Sequence, residues 1–222
     1  MFSVLAIVGA RGGSKRVPGK NLRHVGGRPL IEWTFDVASS SPSISRVILS
    51  TDAEEIAMAG RRAGIEVPFR RPAELSGDTA TSEAFVIHAL DWLEEHEVYR
   101  PDAVMLLQPT SPLRVTADVE AALSLFRAKE ADVVVSVGPS SAASKCLRRV
   151  MADGRLREWA EGTPASETFA LNGAIYIARP EVLRNRGVFD GDNAFAYLMP
   201  RARSLDVDHE EDLQLADAML SR

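Results

Sequence analysis

The sequence predicts an α/β fold of three layers, in which helices cover both faces of a mostly parallel sheet. Three observations carry that prediction. Short, continuous apolar runs alternate with segments of helical period through most of the chain. Those runs read as strands buried on both faces, as a helix-covered parallel sheet requires. The first of them, Val4 to Val8, empties directly into a glycine-rich, cationic loop. At 222 residues and 45% hydrophobic, the chain can bury a sizeable core, and one domain spanning 1–222 is expected.

Taken in order, the opening strand is followed by the loop from Ala10 to Leu22 and then by a helix over Pro29 to Ala38, with Pro29 at its first position. Arg46 to Thr51 reads as a second buried strand. Asp52 with Glu55 three residues on is a capping-box pattern for a helix ending at Gly64. Ile65 to Phe69 is a short strand candidate, and Ala73 to Thr81 a surface loop of the kind that carries function. Phe85, Ala89, Trp92 and Leu93 place a helix from Ser82 to about Glu97, capped by Thr81 or Ser82. Ala103 to Leu107 is the third strand and stops at Gln108-Pro109-Thr110-Ser111-Pro112, a rigid shelf bracketed by prolines. A helix around Val119, Leu123 and Phe126 and a strand over Asp132 to Val137 follow.

From Gly138 to about Ser166 the pattern loosens, with short strand candidates at Leu147 to Val150 and Leu156 to Trp159. This stretch, 138–166, is predicted to protrude as an arm and to bury surface against a second subunit. Order returns at Phe169 to Ala178. Ser204 to Val207 is the last strand candidate, and a helix from Asp208 to about Leu220 closes the fold. Trp33, Trp92 and Trp159 read as packing residues.

Composition narrows the function. A net charge of −5 and a pI near 5.5 exclude nucleic acid and acidic membranes as general partners, because the average field repels both. A single cysteine, Cys146, forms no internal disulfide and no thiolate metal cluster, which predicts a reducing, cytoplasmic setting. The opening residues lack the cationic region of a signal peptide, and no run approaches the roughly 20 apolar residues of a membrane span.

Against that acidic background, residues 11–23 hold five cations (Arg11, Lys15, Arg16, Lys20, Arg23) and no acid. The loop is not a Walker A turn, because Ser14 stands where its first glycine belongs and Asn21 where Ser or Thr must follow Lys20. Gly9, Gly12 and Gly13 also miss the spacing of a dinucleotide-binding turn. What remains is a turn whose backbone N–H groups can approach phosphate oxygens. Arg11 can fork two oxygens there, with Lys15 and Lys20 as point charges, a combination suited to a triphosphate.

The loop Ala10 to Leu22, Ser50-Thr51-Asp52, Arg71-Pro72 with Asp78-Thr79, Gln108 to Arg114, Asn172 to Ile177 and Leu205 to Asp208 together resemble the CMP-sialic acid synthetases, or acylneuraminate cytidylyltransferases. The matches run in order over nearly the whole chain, most weakly in the arm. The resemblance implies a Rossmann-like nucleotidyltransferase fold, Mg²⁺, a homodimer, and transfer of CMP from CTP to a nine-carbon nonulosonic acid with release of pyrophosphate. It further implies that Arg11, Lys15 and Lys20 hold the phosphates within a nucleotide loop that includes Ala10, Gly12, Gly13 and Ser14. Asn21 and Arg71 would contact the nucleotide, and Ser82, Gln108, Asn172, Tyr176 and Lys145 the sugar and ribose.

The chemistry accounts for these residue types. Attack of an anomeric hydroxyl on the α-phosphorus builds negative charge that cations and a metal must stabilise. As i and i+2 on the predicted strand, Asp206 and Asp208 face one way, as two ligands of one hard cation require. Asp208 alternatively accepts the hydroxyl proton, and the same acids also read as a polar strand end capping the next helix. Gly9 stands where the family usually has proline and Arg16 where many sialic acid enzymes have glycine, which leaves the sugar open. The alternatives are a nucleotidyltransferase for another sugar acid, such as the eight-carbon acid KDO, and a non-catalytic nucleotide-binding regulator.

Overall fold

The computed structural model describes residues 2–139 and 147–221. Its sheet forms around β1 (Val4–Gly9), whose side chains alternate between two apolar layers. β4 (Arg46–Ser50) pairs parallel on one side of β1 and β5 (Ala103–Leu107) on the other. Next to β5 lies the long β9 (Thr168–Ala178), antiparallel, followed by β6 (Val133–Pro139) and β10 (Ala194–Leu198), which pair parallel to each other. The sheet is therefore mostly parallel, as expected, with one reversed strand inside it.

Helices α3 (Ser82–Glu97) and α5 (Pro180–Arg186) cover the face formed by Leu5, Ile7, Val104 and Leu106. Helices α1 (Leu30–Ser40) and α4 (Thr116–Ala128) cover the opposite face, formed by Val4, Ala6, Met105 and Leu107. α2 (Glu54–Arg62) packs at the β4 edge and α6 (Glu210–Leu220) closes the chain. A hairpin of β2 (His24–Val25) and β3 (Arg28–Pro29) turns through Gly26 and Gly27 at positive φ.

Several expectations change. Ile65 to Phe69 is not a strand: it contributes one parallel bridge, Glu66 to Ile48, before Pro68, which has no N–H to extend a ladder. Ser204 to Val207 also lies outside the sheet. After the turn at Arg201–Arg203 it runs extended toward the C-terminal ends of the strands, held by the Val207 N–H donating to the Thr110 carbonyl at 2.7 Å. Asp52 does not cap α2; its carboxylate turns instead to the opening loop and accepts from the Gly12 N–H at 2.9 Å. α5, β10 and the β2–β3 hairpin were not expected. In the arm, β7 (Leu147–Val150) pairs with the first half of β9, and β8 (Leu156–Glu158) pairs with β7. Trp159, expected to pack, is 41% exposed. The expectation for Lys145 lies outside the described residues.

Candidate active site

In this strand order the chain leaves β1 first toward β4 and later toward β5, so the C-terminal ends of the three strands open on a crevice where the topology switches direction. A cleft of about 530 Å³ occupies that place. The loop after β1 lines it with Arg11, Ser14, Lys15 and Lys20, and the extended segment after the 201–203 turn adds Asp206 and Asp208. Gly9 closes the floor against Phe85, whose ring lies where a side chain on residue 9 would go: a Cβ there would fall 2.4 Å from it.

The cations already have carboxylate partners. Arg11 pairs with Asp78 at 3.1 Å, and Lys15 reaches the other oxygen of the same carboxylate. Arg16 meets Asp208 at 2.8 Å. Lys20, largely shielded, donates to the Val207 carbonyl at 2.6 Å and to Asp208 at 3.3 Å. Its ammonium therefore sits at the acid pair rather than deep in the glycine turn. The hydrogen bonds from Lys15 lead the influences that hold the Asp78 carboxyl below the ordinary aspartate range.

Asp206 is open to the cleft yet has protein packed closely around it. That crowding pushes its pKa up to about 6, with Asp208 adding to the rise and a hydrogen bond from Thr110 and the charge of Lys20 opposing it. Gly173, at φ +74°, lies beneath: a Cβ there would fall 2.8 Å from the Gln108 Oε1 and 3.5 Å from an Asp206 oxygen. Two carboxylates on one extended segment, one of them with a raised pKa, are hard oxygen donors suited to Mg²⁺, which characteristically takes one or two carboxylates and completes its shell with substrate phosphate and water. Among the described residues no cluster of three or more His, Cys, Asp or Glu forms a cage of its own.

On the nucleotide side, the Asn21 amide donates to the Arg11 carbonyl at 3.1 Å. Arg71 is buried, bonded through Nε to the Ser50 hydroxyl at 3.0 Å, and its guanidinium lies 3.9 Å over the Phe85 ring. Burial lowers its pKa to about 10, with Asp52 acting in the opposite direction, so it stays charged at neutral pH. Gln108 and Ser82 meet at 3.4 Å across the mouth between β5 and α3.

Other expected residues stand back from the wall. Ala10 is in the core, its N–H on the Ser50 carbonyl at 3.1 Å. Gly12 and Gly13 lie in the loop behind the lining residues. Asn172 is buried, its Oδ1 accepting from the Ser136 hydroxyl at 2.6 Å and its Nδ2 donating to the Ser204 hydroxyl at 3.2 Å. Tyr176 packs its ring 5.3 Å from Phe189 on the α3 and α5 face. Sequence reasoning gave no site role to Asp78, Thr110, Phe85 or Gly173. A positive-φ glycine within a strand, beneath Gln108 and Asp206, leaves no readable mark, and Phe85 is indistinguishable from a core residue by helical spacing.

A cationic turn and paired carboxylates lining one cleft at the switch point of an α/β sheet form the constellation of an enzyme that transfers phosphoryl or nucleotidyl groups. The chain belongs to the cytidylyltransferase family, whose pattern matches residues 5–149, and is a nucleotidyltransferase. It is 31% identical to the CMP-N,N'-diacetyllegionaminic acid synthase of Legionella pneumophila, covering 98% of this chain and 96% of that protein. It is 32% identical to the N-acylneuraminate cytidylyltransferase of Escherichia coli, over 96% of this chain but 51% of that longer protein. The solved structure of CMP:2-keto-3-deoxy-manno-octonic acid synthetase complexed with CTP superposes with a TM-score of 0.79 over 99% of this chain and 98% of that one; at 18% identity the likeness shows the shared fold.

Proposed function

We propose that this enzyme transfers CMP from CTP to the anomeric hydroxyl of a nonulosonic acid and releases pyrophosphate. The observation that carries the proposal is that Arg11 and Lys15 line the same cleft as Asp206 and Asp208. Relatives that match over nearly the full chain and are named for nine-carbon acids support the acceptor class.

The triphosphate takes the place of Asp78 on Arg11 and Lys15. Both cations then stabilise the charge that gathers on pyrophosphate as the bond from the α-phosphorus to its bridging oxygen breaks. Arg71, clamped on Ser50 and Phe85, presents a fixed charge beside the nucleotide. Gln108 and Ser82 bind acceptor hydroxyls at the mouth. The new bond joins the anomeric oxygen to the α-phosphorus, and the hydroxyl proton passes to the acid pair, with Asp208 as its acceptor. Asp206 and Asp208 would hold Mg²⁺, which when bound polarises the α-phosphoryl group. Among the described residues β8 pairs with β7 alone, next to a bridge from Arg155 to Phe195, and Trp159 is exposed beside it; we assign this edge to a homodimer interface. A cytoplasmic setting fits the CTP requirement.

Pyrophosphate release tests the proposal with CTP, Mg²⁺ and a panel of N-acetylneuraminic, legionaminic and pseudaminic acids, with KDO as the eight-carbon comparison. Turnover with a nine-carbon acid is expected. Turnover confined to KDO, or absent in folded protein, contradicts it.

A further inference from the structure

The structure assigns to Asp52 the positioning of the phosphate-binding loop. The inference rests on the reading of that loop as the triphosphate cradle. Where β1 ends, the Ala10 N–H makes the last sheet-like bond, to the Ser50 carbonyl, and the chain leaves the sheet. Two peptides further on, the group that joins Arg11 to Gly12 has both of its polar ends taken by side chains. Its carbonyl accepts from Asn21 Nδ2 at 3.1 Å, and its N–H donates to Asp52 Oδ1 at 2.9 Å. In a trans peptide these two groups point in opposite directions, so the clamps act from opposite sides and the plane cannot flip without losing both. One of the two peptide planes that set the direction of the Arg11 side chain is thereby held, and Arg11 is the first cation of the cleft wall.

An acid beside a triphosphate site opposes ligand binding by charge, so its presence there needs a geometric return. A charged acceptor makes a stronger bond to the Gly12 amide than a neutral one. The remaining contacts at Asp52 confine its own backbone: Arg70 donates to its carbonyl at 2.6 Å, and Thr51 Oγ1 accepts from the following N–H, that of Ala53, at 3.2 Å. Gly12 can move little toward α2, because a Cβ on it would fall 2.8 Å from the Ala53 Cβ. Asp52 itself does not line the main cleft and touches no reacting atom; it acts through Gly12 and Arg11.

Two readouts on Asp52→Ala, Asp52→Ser and Asp52→Asn test this, with thermal unfolding of each variant recorded alongside. The first is hydrogen exchange of the Gly12 amide in nucleotide-free protein, followed by NMR. The second is the separation of KM for CTP from kcat. Asp52→Ala and Asp52→Ser, which cannot reach the amide, should speed Gly12 exchange and raise KM for CTP by about tenfold or more, with kcat changed less than about threefold. Asp52→Asn keeps a weaker, neutral acceptor oxygen and should bring both quantities part of the way back toward those of the parent. The assignment is overturned if Gly12 exchange and KM are unchanged in the two short variants. It is equally overturned if Asp52→Asn is as impaired as they are, or if kcat falls as far as KM rises. Should the parent enzyme fail to use CTP, the exchange measurement still reads the hold of Asp52 on the loop.

Discussion

Asp206 concentrates the conflict between stability and function in one side chain. Its folded pKa, raised to about 6, lies above the ordinary value of 3.8, so folding favours its protonated form. Between those two values the folded state binds more protons than the unfolded one; stability falls as pH rises through this window and stays lower above it. Asp206→Asn should therefore raise the melting temperature of metal-free protein at pH 7.5, and the gain should shrink by pH 4, where the parent carboxyl is itself protonated on folding. The same variant should lose more than about a hundredfold in turnover. Thermal melts at both pH values, set beside turnover, check this; a melting temperature that falls equally at both would contradict it. Asp78 presents the reverse case. It occupies the two cations that the triphosphate needs, so Asp78→Asn should bind inorganic tripolyphosphate more tightly in calorimetry, and weaker binding would show that Asp78 orients those cations instead.

At the scale of elements, the acid pair is held by parts of the chain distant in sequence. Val207, between the two acids, is fully buried with Val17 of the cationic loop, Leu30 of α1 and Leu213 and Ala216 of α6. The two halves of the site thus share one small apolar core behind the cleft. Upstream, Arg203 forks both oxygens of the buried Asp118 at 2.9 Å, and the Tyr197 hydroxyl reaches the same carboxylate at 2.9 Å. Asp118→Ala removes the acceptor of the Val115 N–H and of the Tyr197 hydroxyl as well as the partner of a partly exposed arginine, and should cost about 1–2 kcal/mol of stability in denaturant unfolding; a change within error would remove the network from the account. Little of this was legible. Asp118 in sequence is an ordinary first-turn acid of a helix, Val17 is an isolated apolar residue in a charged loop, and their partners lie far along the chain. The strands that were legible, Val4 to Val8 and Ala103 to Leu107, are continuous apolar runs whose burial on two faces is written in their own residues. The strand expected at Ser204 to Val207 failed because alternation alone cannot distinguish a ladder from an extended segment held by bonds to Thr110 and Lys20 and by one buried valine.

For the whole molecule, the order of strands explains why the site is where it is: reversal of direction about β1 leaves a crevice that only loops can fill, and those loops carry the charges. That much followed from alternating strands and helices together with one cationic turn. The reversed β9 did not, because an antiparallel strand inside a buried sheet has the same apolar composition as its parallel neighbours. The exposed edge at β8 and Trp159 predicts a dimer by light scattering at micromolar concentration, and a monomer there would leave the arm without its proposed role. The central claim, transfer of the nucleotidyl group across the cleft between the cations and the acid pair, is tested most directly by ³¹P NMR of the products formed from CTP, Mg²⁺ and the accepted acid. The account predicts a CMP ester and pyrophosphate in equal amounts from the parent enzyme and neither from Asp208→Asn. Formation of CDP and phosphate, or an unchanged product spectrum with Asp208→Asn, would contradict it.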